Sequence, residues 1–372
     1  MDVRRARSYG IGTYIRNLTQ ALSGIDQENR YTLVAYPDDF EVLQGLGPNF
    51  HFAPHTVSDT GIRHNLLTPR VMRSLKGNLY HIPLNSVPWG MPKPYVVTIH
   101  DMSSLLFPKR KDFRYLLHEA RFRRGAVRSS HVLSVSHTTQ RDIVNILRIP
   151  PQNVSTIYSA PDPLFSLGHR DNVQDQAILD RYSITFPYIL YAGTIRPRKN
   201  IPRLVEAFAI LRHDLEKHPQ YRDLRLVIIG DELSRNLAVR RAVAQARIEP
   251  SVRFLGFVPV ETLRVFYRRA VVFAFPSLYE GFGLAPLEAM ACGIPVVASD
   301  IPSLVEAVGT AAELVNPENV FDIARGLRDV LLSDERKSAL VAAGQAQAAR
   351  FSWEATAKQV LTIYRQFARE AH

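Results

Sequence analysis

Residues 277–299 read SLYEGFGLAPLEAMACGIPVVAS. Two glutamates, Glu280 and Glu288, stand eight residues apart, with a Gly-x-Gly pair and a proline between them. The preceding run VVFAFPS has the β-branched and aromatic content of a buried strand ending near Phe275. Pro286 suits the first turn of a helix and Gly293 its end. On this reading Glu280 lies in a loop and Glu288 in the first helical turn. The amides of Gly281, Phe282, Gly283 and Leu284 are then placed to face an anion at the helix N-terminus. Each part also has a plainer reading. A first-turn carboxylate complements the helix dipole, and Gly-x-Gly makes an ordinary strand-to-helix turn. Taken together, strand, polar loop and helix form the repeating unit of an open parallel α/β sheet, which binds ligands at the carboxyl ends of its strands.

The same unit recurs along the chain. Apolar runs YTLVAY (31–36), YVVTI (95–99), HVLSV (131–135) and VSTIY (154–158) mark the first half; YILYAG (188–193), LRLVIIG (224–230), VRFLG (252–256), VVFAF (271–275) and IPVVAS (294–299) mark the second. Continuous apolar runs alternating with helical patterns predict parallel sheets covered on both faces. The pattern weakens around SAPDPLFSLGHRDNVQDQ (159–176), which has the composition of a connection. The expected fold class is therefore α/β, with two Rossmann-like doubly wound domains. They span 1–165 and 187–350, with a linker over 166–186 and a terminal helix over 351–372. Ser352 is placed to cap that helix, and Val360, Ile363, Tyr364 and Phe367 give it one apolar stripe.

Three further stretches carry chemistry. YAGTIRPRKNIPRLVEAF (191–208) ends a strand at Gly193 and follows it with Thr194, Arg196, Arg198 and Lys199. Cations there can neutralise a diphosphate, or be a solvated turn, and Asn200 is a good helix N-cap. TIHDMSSLLFP (98–108) puts His100 and Asp101 at the carboxyl end of a strand, as site residues or as a structural pair. YGIGTYIRNL (9–18) offers Gly10 and Gly12, but Ile15 replaces the third small residue of a dinucleotide fingerprint, and Asp38 and Asp39 carry little weight alone. Only MDVRRARSY precedes Gly10, so the strand that normally leads into such a loop is expected to be missing, through a late start or a truncation.

Composition sets outer bounds. A chain of 372 residues fits two to three domains of ~150 residues. The single cysteine, Cys292, excludes an intramolecular disulfide framework, points to a reducing compartment and reads as a small core residue. No apolar run reaches the ~18 residues of a spanning helix, and no secretory signal is visible, so a cytoplasmic protein is expected. A formal charge of +11 favours an anionic partner. The segment from Lys109 to Arg128 holds eight Lys and Arg against Asp112 and Glu119. It is either a solvated helix face or a contact for anionic membrane, peripheral at its inner face. No nucleic-acid motif or zinc-type Cys/His spacing is present, so no nucleic acid is expected.

In order and spacing, these four stretches and the terminal FSWE helix resemble the family 4 glycosyltransferases, retaining enzymes of the GT-B fold. The resemblance covers nearly the whole chain and is most specific in the E-x7-E of Glu280 and Glu288. It implies two domains facing a central cleft, with the last helix crossing back to the first domain. It implies that Arg198 and Lys199 hold the diphosphate of a nucleotide sugar with the amides around Gly283 and Leu284. Glu288 would bond the ribose, Glu280 the donor sugar, Gly12 (with Gly10) would approach the phosphate, and His100 would lie beside the reacting carbon. Many members carry arginine where this chain has Thr194, which leaves that role to Arg196 or Arg198. No D-x-D occurs, so catalysis without a metal or other cofactor is expected. A hexose, with GDP-mannose the first donor ahead of UDP-glucose and dTDP-rhamnose, would pass to a saccharide or lipid-linked acceptor in surface polysaccharide synthesis. The rival readings are a sugar-nucleotide epimerase, a phosphorylase on a similar fold, and a non-catalytic basic binding protein.

Overall fold

The computed structural model describes all residues except 9, 60–62, 85, 109–112, 167–171, 231–235 and 370–372. The chain divides into two compact units, Met1–Ala160 with Phe351–His372, and Pro161–Arg350.

The first unit has six named strands: β1 (Tyr31–Ala35), β2 (Phe50–Pro54), β3 (Tyr80–Ile82), β4 (Tyr95–Ile99), β5 (His131–Ser134) and β6 (Val154–Thr156). β1 and β2 form one parallel pair, and β3-β4-β5-β6 form a parallel sheet in that order. Residues 1–3 run between them. Asp2 bridges Val34 of β1, its amide donates to His81 O at 2.9 Å, and the Val3 amide donates to Val34 O at 2.8 Å. Residues 1–3 thus lie where the strand leading into Gly10 belongs, between β1 and β3. The isolated valine of the sequence is Val3, fully buried there. From this line the chain winds to β1 and β2 on one side and to β3–β6 on the other. The topological switch of the unit therefore lies beside Asp2.

The helix Trp353–Arg369 belongs to this unit and packs on the helix Ile11–Ile25. Ser352 Oγ caps it by accepting from the Ala355 amide at 3.1 Å. Its apolar stripe includes Ala357, Val360 and Phe367, all buried. Tyr364 OH meets His81 Nδ1 at 2.5 Å, and His81 Nε2 meets Thr98 Oγ1 at 2.7 Å.

The second unit contains β7 (Tyr188–Ala192), β8 (Arg225–Ile229), β9 (Val252–Gly256), β10 (Val272–Phe275), β11 (Val296–Ser299) and β12 (Glu313–Val315). They form one parallel sheet in the order β12-β11-β10-β7-β8-β9. Every residue of β7 and β10 is buried, which is why these strands read as unbroken apolar runs. The switch point falls between β7 and β10. One expectation needs correction here. The segment 166–186 is not a bare linker: it carries the helix Asn172–Arg181, grouped with the second unit, and Leu179 of that helix is buried. Polar flanks and a single strongly buried apolar position hide so short a helix from periodicity.

Burial holds three histidines of the first unit neutral: desolvation lowers His64 and His100 to about 4 and His81 to about 3. Unfolding returns each to an ordinary value near 6.5, so the unfolded chain binds more protons below that pH. The contribution is fully present above pH ~6.5 and is lost as pH falls towards 4, by up to about 1.4 kcal/mol per pH unit for each buried histidine. Urea unfolding followed at pH 7.5 and pH 5.0 is expected to show a lower midpoint at pH 5.0 for the transition of this unit. An unchanged or higher midpoint would contradict these burials.

Candidate active site

Two loops leave the switch point of the second unit, one after β7 and one after β10. The first makes a tight turn over Pro197–Lys199, closed by the Lys199 amide donating to Arg196 O at 2.9 Å. Asn200 follows in the left-handed region at φ 61°, which asparagine tolerates better than most residues. Its side chain does not cap the next helix as the sequence predicts. Instead its Nδ2 donates to Pro276 O at 3.0 Å and to Pro317 O at 2.7 Å, pinning the turn to two neighbouring loops. The Leu278 amide donates to Arg198 O at 2.7 Å, and Arg198 Nη1 donates to Tyr279 O at 3.1 Å, so the two loops are laced together.

This lacing brings three charged groups to one point. Lys199 Nζ lies 2.5 Å from Glu280 Oε1, and Arg198 Nη1 lies 3.2 Å from Glu280 Oε2. Lys199 Nζ also stands 4.7 Å above the Phe275 ring, a cation–π contact at the end of β10. Lys199 and Glu280 are each 8% exposed, so neither charge is screened by bulk water. One carboxylate between two cations leaves a formal charge of +1 among these three groups. Of the two arginines that the sequence leaves open, Arg196 is exposed and Arg198 faces Glu280. Thr194 contributes its backbone carbonyl, which accepts from Tyr191 OH at 3.1 Å. Gly193, at the end of β7, donates its amide to Ile229 O at 3.0 Å.

The second loop passes Glu280, Gly281 and buried Phe282 to Gly283, which at φ 132° starts the helix Leu284–Ala291. Glu288 is the fifth residue of that helix, not a first-turn residue, and the first turn carries no acid. The dipole explanation for Glu288 therefore falls. Its Oε2 accepts from Tyr267 OH at 3.4 Å. Tyr267 is buried, and desolvation together with the Glu288 charge pushes its hydroxyl well above the ordinary value. It stays protonated and donates, fixing the carboxylate's direction. Sequence reasoning missed Tyr267, since an aromatic residue late in an amphipathic helix reads as core. It also missed Ser277, fully buried at the head of the loop with no hydrogen-bond partner for its Oγ.

The remaining predicted residues stand in the first unit. His100 directly follows β4, and its Nε2 lies 3.1 Å from Pro83 O. A carbonyl only accepts, so Nε2 carries the proton and Nδ1 the lone pair of the neutral ring. The ring stands edge-on to Tyr14, with centroids 4.8 Å apart. Tyr14 is in turn edge-on to Trp353 of the terminal helix at 5.8 Å. Asp101 accepts from the Ser103 amide at 2.9 Å and from Ser103 Oγ at 2.6 Å, so it anchors the short helix Ser103–Leu106. Gly10 sits at φ 67° before the helix Ile11–Ile25. At Gly12 a Cβ would lie 2.5 Å from Ala6 O and 2.8 Å from Arg5 O, so only glycine fits under that turn.

Comparison with known proteins agrees with this architecture. Residues 9–163 match the family described as Glycosyltransferase Family 4, and residues 181–347 match Glycosyl transferases group 1. The O-antigen chain mannosyltransferase B of Escherichia coli is 32% identical over 310 residues, 81% of this chain and 79% of that one. The serotype-specific mannosyltransferase WbdA of Escherichia coli is 32% identical over 74% of this chain, which spans only 33% of that protein's length. Among solved structures, sucrose-phosphate synthase from Thermosynechococcus elongatus superposes with a TM-score of 0.76 at 21% identity, over 96% of this chain and 93% of that one. Anabaena HepE in complex with UDP and glucose gives 0.75 at 16% identity, over 98% of each chain. These relatives give no support to an epimerase, a phosphorylase or a non-catalytic binding protein. The chain belongs to the family 4 glycosyltransferases, group 1, and has their GT-B fold.

Proposed function

We propose that the enzyme transfers a hexose, mannose from GDP-mannose, to a saccharide or lipid-linked acceptor in surface polysaccharide synthesis, with retention of configuration. The observation that carries this reading is the Arg198–Glu280–Lys199 cluster at the switch point of the second unit. The mannosyl choice follows the names of the relatives at 32% identity and ranks UDP-glucose and dTDP-rhamnose behind.

In this mechanism Arg198, Lys199 and the amides of Gly281, Phe282, Gly283 and Leu284 take the diphosphate. Glu288, oriented by Tyr267, accepts from the ribose hydroxyls, and Glu280 accepts from hydroxyls of the donor sugar. The bond from the anomeric carbon to the phosphate oxygen breaks, and negative charge builds on that oxygen. Buried, preorganised cations stabilise it there more strongly than water would. The acceptor oxygen bonds to the same face of the sugar, and its proton passes to the departing phosphate. His100, neutral and held by Pro83, lines the path of the reacting carbon without carrying charge, and Gly12, with Gly10, brings backbone close to the phosphate.

A melting-temperature panel of sugar nucleotides tests the donor. GDP-mannose is expected to raise the melting temperature of the wild type by mass action, and Lys199→Ala to abolish the rise. Lys199→Ala and Glu280→Ala are each expected to lower turnover ~10²-fold or more, the scale of losing an electrostatic stabiliser. Glu280→Gln, which keeps the shape, separates lost charge from lost packing. Near-normal turnover in all three would reject the assignment.

Fixed cations make a bound metal unnecessary for charge neutralisation in this reading. Activity is expected to survive excess EDTA unchanged. Loss in chelator, restored by Mg²⁺ or Mn²⁺, would overturn that point.

We further propose that the enzyme is cytoplasmic and works at an anionic membrane surface. Among the described residues no helix is long and apolar enough to cross a membrane. Of the basic segment, 109–112 lie outside the described residues; the rest forms the helix Phe113–Arg128. Phe113 is 77% exposed and Leu116 55%, and Tyr115 OH reaches Leu105 O at 3.5 Å, next to exposed Leu106 and Phe107. Basic residues beside exposed apolar and aromatic side chains are the signature of an interfacial helix. Sedimentation is expected to show at least ~10-fold tighter binding to vesicles containing phosphatidylserine than to neutral ones, with each Lys or Arg near the surface contributing ~1 kcal/mol. Equal binding to both would remove the proposal.

A further inference from the structure

A second polar site lies in the first unit, on the turn whose Arg5 O and Ala6 O face Gly12. A pocket of about 310 Å³ opens there, lined by Arg4, Arg5, Arg7, Tyr36, Asp39 and Asp59 among others. Its volume is at the lower end of the ~300–1,000 Å³ typical of ligand pockets. The lining comes from three neighbouring strand ends. Arg4–Arg7 follow the line of residues 1–3, Tyr36 and Asp39 follow β1, and Asp59 follows β2. These are carboxyl ends of parallel strands beside the topological switch, where open α/β sheets take their ligands.

The side chains are prearranged. Arg4 is fully buried, pairs with Asp2 at 2.5 Å and donates to Val57 O at 2.5 Å, which fixes the turn that follows. Arg5 and Asp59 form a two-pronged pair, with both Nε and Nη2 donating at 2.8 Å. Arg7 Nε lies 3.4 Å from Asp39 Oδ1. The Arg5 and Arg7 side chains remain 40% and 49% exposed, so their guanidinium edges are accessible. Asp39 is only 4% exposed, and its Oδ2 has no hydrogen-bond partner. A buried carboxylate oxygen left so is costly unless something else satisfies it.

Charge decides between ligand classes. Each arginine of the lining already faces a carboxylate: Arg4 faces Asp2, Arg5 faces Asp59, and Arg7 faces both Asp39 and Glu41. A phosphate would have to compete with those pairs. A polyol would not, because paired Arg and Asp groups present donors and acceptors side by side, and the Tyr36 ring adds an apolar face.

We infer that this pocket is a subsite for an uncharged sugar ring of the acceptor saccharide, bound through Arg5–Asp59 and Arg7–Asp39. The inference rests on the glycosyltransferase reading and adds acceptor-recognising residues to it. Saturation-transfer NMR tests it, with mannose-, glucose- and galactose-terminated disaccharides as probes and glycerol phosphate as the anionic alternative. At least one disaccharide is expected to receive saturation from the wild type. That transfer is expected to fall about tenfold or more in Arg5→Gln and in Asp59→Asn, the effect of deleting a hydrogen-bonding partner. The GDP-mannose melting shift of both variants is expected to match the wild type. Arg5 is half-exposed, so Arg5→Gln tests the pocket even if Asp59→Asn is destabilised. Three results overturn the inference: no transfer to any disaccharide from the wild type, transfer that survives both substitutions, or displacement of the disaccharide by glycerol phosphate. Disaccharide transfer lost in both variants, in a protein whose melting no sugar nucleotide shifts, would support the subsite and count instead against the donor assignment.

Discussion

The Glu280 carboxylate holds Arg198 and Lys199 at the one place in the second sheet where the winding reverses. The group is nearly dry, so its energetics differ from those of a surface pair. Desolvating three charges costs several kcal/mol per ion, and the attraction offsets this only with close contacts such as the 2.5 Å approach of Lys199. The surrounding structure makes that geometry possible. Asn200 ties the turn to Pro276 and Pro317, and the exchange between Arg198 and the loop at Leu278 and Tyr279 sets the distance between the two loops. Phe275 closes the pair from below with its ring face. The strands beneath are uniformly buried and leave the loops little freedom to drift.

Much of this was legible in the sequence. Parallel strands buried on both faces have to be continuous apolar runs, so the two sheets could be read from β4, β5, β7 and β10 alone. The positions of Arg198, Lys199 and Glu280 followed from the rule that ligand groups sit at strand carboxyl ends. What stayed hidden depends on register in three dimensions. Asn200 looks like a helix cap by residue type, yet its left-handed backbone turns the side chain towards carbonyls 76 and 117 residues away. Glu288 was placed one turn too early because helix starts are set by backbone geometry at Gly283 more than by Pro286. Tyr267 could not be recognised because its hydroxyl partner is distant in sequence. β2, β3 and β12 were missed: β2 is half-exposed and carries no apolar run, and β3 and β12 are three residues long with no longer apolar stretch around them.

The first unit is joined across its centre by a polar network. Residues 1–3 connect the β1-β2 pair to β3, and they do so through backbone bonds to Val34 and His81 on either side. A polar network surrounds it: Asp2 and Arg4 are completely buried and paired, Arg4 reaches Val57 O and His64, and His64 meets Thr68. A further set, His81 with Thr98 and Tyr364, ties β3 and β4 to the terminal helix. That helix therefore does structural work in the first unit although it follows the second in sequence. It also buttresses Tyr14 through Trp353, and Tyr14 in turn supports the ring of His100.

The two units handle the same residue types in opposite ways. In the second, Arg198 and Lys199 converge on Glu280, the cluster we propose for a diphosphate whose charge grows as the sugar departs. In the first, each lining arginine meets at least one carboxylate, and Arg7 meets two, Asp39 and Glu41, an arrangement we propose for hydroxyl groups. Both arrangements sit at strand carboxyl ends beside a reversal of winding, so the fold determines where a ligand goes and the local count of charges determines which kind it is. A net charge of +11 is therefore a poor guide to any single site. In the proposed reading, what selects between a nucleotide and a neutral sugar is how cations and carboxylates are grouped, and that is fixed by a handful of loop contacts, such as Arg5 with Asp59 and Lys199 with Glu280.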